Sequence, residues 1–183
     1  MSEPSRVSTS IADTYVLRSS EDEDARGSVG ELLRQVWVPG VEFIQWNVVR
    51  SRARTLRGMH WHELHHDLIA PVAGTVLVGL ADLRPGSPTE RKAELVELDA
   101  SVLGAVVVPP GVAHGLYSRM PTTLLYAVSR YWDGEDEYGV AFDDPDVGVP
   151  WPCGRDDVTL SGRDRAMPGL GELTLPRAYG VAA

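Results

Sequence analysis

From Thr14 to Trp132 the sequence is a succession of short β-branched and aromatic runs, recurring about every ten residues and punctuated by glycine and proline. The runs read as strands over Thr14–Leu17, Val41–Val49, Leu68–Val72, Thr75–Leu83, Ala93–Leu98, Gly104–Pro109 and Thr122–Trp132. No amphipathic helical period precedes the tail, so the pattern predicts an all-β antiparallel sandwich or barrel. With neither an internal repeat nor a linker, residues 1–183 read as one domain. Residues 1–12 are expected to be a loose polar end, and residues 165–183 a tail that holds a short helix or lies over the barrel.

Strand alternation then sorts side chains by face. In Val41–Val49, Phe43, Gln45, Asn47 and Val49 share one face, and Ile44, Trp46 and Val48 the other. Two amides on an otherwise apolar face require partners if buried. In Thr122–Trp132, Tyr126 falls with Leu124, Val128 and Arg130, whereas Tyr131 falls on the opposite face. Both tyrosines can reach one pocket only across a bend or bulge.

The five histidines are gathered rather than scattered: His60, His62, His65 and His66 lie in TLRGMHWHELHHDLIAPVAG, and His114 ends PPGVAH. Imidazole serves both proton transfer and metal ligation near neutral pH, so the clustering points to a site. His60 and His62 are two apart and project from the same face of a strand. The order HxH, a carboxylate at Asp67, Gly74 and then PxGxxH ending at His114 resembles the two-part metal motif of the cupin superfamily. That resemblance implies one divalent transition metal on His60, His62, Asp67 and His114, with positions left open for substrate. The bland alternative is a polar loop of solvated histidines.

A closer match runs through the same residues. Arg57-Gly58-Met59-His60-Trp61 resembles RGLHxQ of the dTDP-4-dehydrorhamnose 3,5-epimerase family, which are metal-independent cupins acting on nucleotide-linked keto sugars. Further along, ADLRPGSPT resembles VDLRxGSPT, YGVAFDDPDVGVPWP resembles GIxWDDPxLGIxWP, and LSGRD resembles LSxKD. The likeness covers about three quarters of the chain, from Arg26 to Asp164, and implies a jelly-roll (double-stranded β-helix) barrel. It also implies His60 as catalytic base, Asp164 as its dyad partner and Tyr126 as catalytic acid. Arg26, Glu31, Gln45, Asn47, Arg57, His114 and Tyr131 match positions that hold the nucleotide sugar. Arg26 and Glu31 would do so across a homodimer interface.

Four positions depart from the family, the first being His62, which stands where RGLHxQ has its glutamine. Val29 stands where an aromatic residue stacks on the nucleotide base, and it offers no aromatic face. Asp67 and Ala127 stand where the family carries lysines. A carboxylate beside a developing enolate repels it, the reverse of what is needed. A metal held partly by Asp67 could polarise the ketone instead, but a ligated His60 could not also be a free base. Three function classes therefore follow: a cofactor-free epimerase inverting C3, C5 or both of a dTDP-4-keto-6-deoxyhexose, a metal-dependent cupin isomerase or dioxygenase, and a non-catalytic sugar-binding cupin.

Charge narrows the partners. The net charge of −9 argues against nucleic acid, which requires basic surface, while still permitting a small anionic ligand held by a few arginines. No apolar run approaches the roughly 20 residues that span a bilayer. MSEPSRVSTSIA lacks the features of a secretory signal, and one cysteine forms no disulfide framework. The expected location is cytoplasmic.

Overall fold

The structure is a computed structural model and describes residues 3–180. The strands in chain order are β1 (Ser5–Ser8), β2 (Tyr15–Arg18), β3 (Glu21–Asp24), β4 (Gly27–Gly30) and β5 (Gln45–Ser51). They continue with β6 (Thr55–Trp61), β7 (Asp67–Ala73), β8 (Thr75–Asp82), β9 (Ala93–Asp99) and β10 (Gly104–Val108). Last come β11 (Val112–Ser118), β12 (Thr122–Val128) and β13 (Tyr138–Gly139), with one short helix, α1 (Gly162–Arg165). One sheet has the order β1-β2-β10-β7-β12-β5 and faces a second of order β13-β6-β11-β8-β9, while β3 and β4 form a separate hairpin. All the ladders are antiparallel, as the strand recurrence predicts.

Alternation along these strands builds three apolar layers. Val76, Val78 and Leu80 of β8 pack with Val106, Val108, Val112, Leu116, Leu124 and Ile69 between the sheets. Leu77 and Ala81, of the opposite parity, join Met59, Trp61, Phe142 and Val149 on the far side of the second sheet. Leu68, Ala70, Ala105, Val107 and Ala127 likewise point outward from the first sheet, onto Val38 and Phe43. The second sheet is therefore covered by the long loop after β13 and by the tail, whose Leu170, Leu173 and Leu175 pack there. Ile11, Leu17, Leu98 and the strand residues above are largely removed from water, each valine, leucine, isoleucine or methionine among them contributing roughly 1.5–3 kcal/mol of transfer free energy.

Close approach of β6 and β11 depends on two glycines. Gly58 has φ +117, and a Cβ there would lie 2.7 Å from Gly115 Cα and 2.8 Å from the His114 carbonyl oxygen. The β6–β11 register shifts between His114 and Leu116 at this same point. That irregularity changes the parity of β6, so Leu56, Met59 and Trp61 all enter the outer layer.

Several sequence expectations require correction. Ser5–Ser8, inside the supposed loose end, pairs with β2, because a backbone ladder can hold a polar edge strand. The acidic run Glu21–Asp24, outside the strands read from the sequence, is a strand paired with Gly27–Gly30. Strand β5 starts at Gln45 rather than Val41, and Phe43 packs in the outer layer instead of beside Gln45. Strand β12 ends at Val128, leaving Arg130, Tyr131 and Trp132 beyond it. Of the two alternatives for the tail, it lies over the barrel, and among the described residues it holds a one-turn 3-10 segment, Leu170–Glu172, and no α-helix beyond α1. Residues 1–2 and 181–183 of the expected ends lie outside the described residues. Among the described residues no helix is long and apolar enough to cross a membrane.

Candidate active site

The space between the sheets is filled with aliphatic side chains at one end and opens at the other into a cavity of about 450 Å3. Parity aims polar groups into it. Gln45 and Asn47 precede Val49 on the inner face of β5, Asp67 precedes Ile69 on β7, His114 lies between Val112 and Leu116 on β11, and Tyr126 follows Leu124 on β12. His60 lies between the outward-facing Met59 and Trp61 of β6 and therefore faces inward.

His60 and Asp164 meet across 104 residues of sequence. His60 Nε2 lies 2.7 Å from Asp164 Oδ1. Asp164 sits on α1, where Ser161 caps the helix by accepting the Asp164 amide hydrogen at 3.0 Å. Burial pushes the Asp164 carboxyl up, but the hydrogen bond and charge of His60, Ser161 and the Gly58 backbone outweigh it and hold it below its usual range. Asp164 is therefore an anion at neutral pH. With Nε2–H donated to it, the His60 lone pair lies on Nδ1.

A second group lies deeper. His62, His65, Asp67 and His114 are each at most 4% exposed. The His62 Nδ1–H points at the Asp136 carbonyl at 2.7 Å, and the His114 Nδ1–H at the Val112 carbonyl at 3.3 Å. Both carbonyls fix the tautomer with the Nε2 lone pair facing Asp67, each Nε2 being 3.6 Å from Asp67 Oδ2. The Tyr126 hydroxyl donates to His114 Nε2 at 2.8 Å and also faces Asp67. Burial raises the Asp67 carboxyl to about 7, against the pull of His62. Burial, reinforced by His62, lowers His65 to about 4 and His114 well below its usual value. Burial and then the Asp67 charge push the Tyr126 phenol well above its usual range, so it keeps its proton throughout the neutral range.

Of the residues singled out in the sequence, the cavity brings together Gln45, Asn47, Arg57, His60, His62, Asp67, His114, Tyr126 and Asp164. The amides satisfy each other, Gln45 Nε2 donating to Asn47 Oδ1 at 3.1 Å, while Arg57 reaches Ser51 Oγ at 3.1 Å and the Arg50 carbonyl at 3.2 Å. Tyr131 is not brought in; it is 68% exposed, because β12 stops three residues before it, and Trp132 lines the cavity instead. Arg26 and Glu31 also lie away from this cavity, Arg26 paired with Asp24 on the β3–β4 hairpin and Glu31 with Arg34. The four-ligand set His60, His62, Asp67 and His114 is not assembled. His62, Asp67 and His114 converge, while His60 is drawn away by Asp164.

Sequence reasoning missed Asp136, Glu137 and Arg163. Asp136 accepts hydrogen bonds from the Glu63 and Leu64 amides at 2.8 and 2.9 Å and fixes the HELHH loop. Arg163 pairs with Glu137 at 2.5 Å on the cavity wall. Only the acidic run after Trp132 hinted at Asp136 and Glu137, whose link to residues about 70 positions earlier has no sequence period, while Arg163 lay in the LSGRD motif with no role assigned to it.

Residues 8–172 match the family profile described as dTDP-4-dehydrorhamnose 3,5-epimerase. The chain belongs to the dTDP-4-dehydrorhamnose 3,5-epimerase family. Its relatives include an epimerase of that name from Sinorhizobium fredii, 30% identical over 94% of this chain and 92% of the other. A dTDP-4-dehydro-6-deoxyglucose 3-epimerase from a Streptomyces species is 34% identical over 77% of this chain and 74% of its own length. In structure, the Legionella pneumophila dTDP-6-deoxy-D-glucose-3,5-epimerase in complex with dTDP-4-keto-L-rhamnose has a TM-score of 0.89 at 27% identity, covering 97% of this chain and 100% of the other. A 3'-monoepimerase from Streptomyces bikiniensis in complex with dTDP-quinovose has a TM-score of 0.85 at 30% identity, covering 94% and 93%. The jelly-roll fold of this epimerase-family chain therefore agrees with the expectation from its motifs. Its departures stand out against that agreement: Asp67 is buried in the histidine group, and Ala127 packs outward, away from the cavity.

Proposed function

We propose that the protein epimerises a dTDP-4-keto-6-deoxyhexose at C3, C5 or both. The observation that carries this reading is the His60–Asp164 dyad, which opens on the same cavity as the buried, protonated Tyr126 hydroxyl. His60 Nδ1 takes the proton from the carbon beside the ketone, Asp164 stabilises the resulting imidazolium, and Tyr126 returns a proton to the opposite face of the enolate. These proton transfers require no organic cofactor. Arg57 and Arg163 are the donors at the cavity wall for pyrophosphate and ketone oxygens, His114 shapes the ketone end by holding the Tyr126 hydroxyl, and Gln45 and Asn47 are placed for the nucleotide.

The test is incubation in D2O with dTDP-4-keto-6-deoxyglucose and detection of deuterium at C3 and C5 by NMR. Exchange at C3 alone would assign a monoepimerase, and exchange at both carbons a 3,5-epimerase. No exchange at either carbon, with the protein shown folded, would reject this substrate class.

The same reading includes a homodimer. Arg26 and Glu31 lie outside the chain's own cavity, and Val29 between them is 64% exposed, as expected if this hairpin reaches a partner's site. Gel filtration should give twice the chain mass, and a monomer at working concentration would remove the support for a shared site.

A further inference from the structure

The deeper histidine group contains far more lone pairs than protons. His62 Nε2, His65 Nε2, His114 Nε2 and both Asp67 oxygens converge, yet the Tyr126 hydroxyl is the hydrogen-bond donor directed at them. His65 Nε2 and Asp67 Oδ1 are buried without any hydrogen-bond partner. Their separation is 3.7 Å, too long for a hydrogen bond. Buried acceptors facing one another are costly unless a proton or a cation lies between them, and a single cation can serve several of them at once.

We propose that His62 Nε2, the Asp67 carboxylate and His114 Nε2 bind one divalent transition-metal ion. These ligand atoms all lie within 4.8 Å of one another, and two of the spacings are 3.6 Å. Ligands about 2.0–2.1 Å from a tetrahedral ion stand roughly 3.3–3.4 Å apart, so small side-chain shifts close the site. Carbonyl partners already orient both imidazoles as such a site requires. Asp136 forms a second grouping with His62 and His65, but its oxygens already accept from the Glu63 and Leu64 amides and its carbonyl holds His62 Nδ1, so the grouping around Asp67 has the freer lone pairs. His60 stands outside that grouping, so an ion here leaves the proposed base free. The ion takes the His114 lone pair that Tyr126 now occupies, and it sets a positive charge where Asp67 otherwise leaves none.

The test is titration of chelator-stripped protein with Co(II), read by its visible d–d bands and by calorimetry, with no sugar nucleotide present. One ion per chain is expected. His62→Gln and Asp67→Asn should each weaken binding by about 100-fold or more, since even groups behind the ligands are worth roughly 10–100-fold. Tyr126→Phe should tighten it about 3- to 10-fold by removing a competing hydrogen bond, and His60→Asn should leave it unchanged. No stoichiometric binding by the wild type, binding that survives both ligand substitutions, or an equal loss in His60→Asn would overturn the proposal. None of these results depends on the epimerase reading, which is tested separately by deuterium exchange.

Discussion

His60→Ala should lower the rate of deuterium entry into the keto sugar by about 10²–10⁴-fold, the usual contribution of one positioned general base. The loss should fall on kcat, with KM little changed, because His60 acts on the transferring proton rather than on nucleotide binding. Asp164→Asn offers a sharper companion. The asparagine is nearly isosteric, but its NH2 would donate to His60 Nε2 and move the ring proton to Nδ1, the atom that must accept. A comparable fall in kcat with an unchanged circular dichroism spectrum is therefore expected. If His60→Ala kept more than a tenth of wild-type exchange, the base would have to lie elsewhere.

The largest effect on stability is expected from Arg84→Met. Arg84 grips Asp82 with two hydrogen bonds of 2.9 Å, reaches the Ala12 carbonyl at 2.8 Å, and touches Asp13 at 3.2 Å. Asp82 is fully buried and also accepts from Ser87 and Thr89, each at 2.6 Å. Methionine would fill much of the volume but strand a buried carboxylate, at a cost of about 3–5 kcal/mol. For a chain of this length that lowers Tm by roughly 6–20 °C, measurable by calorimetry. The pH dependence has a definite sign. Burial alone would raise the Asp82 carboxyl, but Arg84, Ser87 and Thr89 outweigh it and hold it below its usual value. The folded chain then binds fewer protons than the unfolded one near that pH. The stabilisation is present above about pH 3.9 and lost as pH falls through the lower, folded value. The deficit of the variant should therefore shrink in acid. A variant with wild-type Tm at pH 7 would show that Asp82 needs no countercharge.

These residues also mark how far the sequence could be read. The alternation of Gln45, Asn47 and Val49, and of Leu124 and Tyr126, was legible because a pleated strand has a period of two. The motif Ala81–Thr89 was legible only by its likeness to VDLRxGSPT; that it closes around a buried aspartate depends on depth, which composition does not encode. The place of Tyr131 outside the cavity was not legible, because nothing in TTLLYAVSRYW marks the end of the ladder at Val128. The edge strands β1 and β3 were hidden because main-chain pairing sets no demand on polar side chains at a sheet rim. His65 looked like a solvated loop residue, and its burial follows from Asp136, whose partners are 72 and 73 positions away.

The proposed catalytic pairing of β6 with α1 also has a consequence in time. Every strand of both sheets has been synthesised by Gly139, yet the aspartate that sets the proton on His60 is not added until residue 164. A nascent chain can thus complete its jelly roll with its base still unprimed. On the proposed reading, a chain interrupted shortly before Asp164 would have both sheets in sequence and none of the orientation that its chemistry requires.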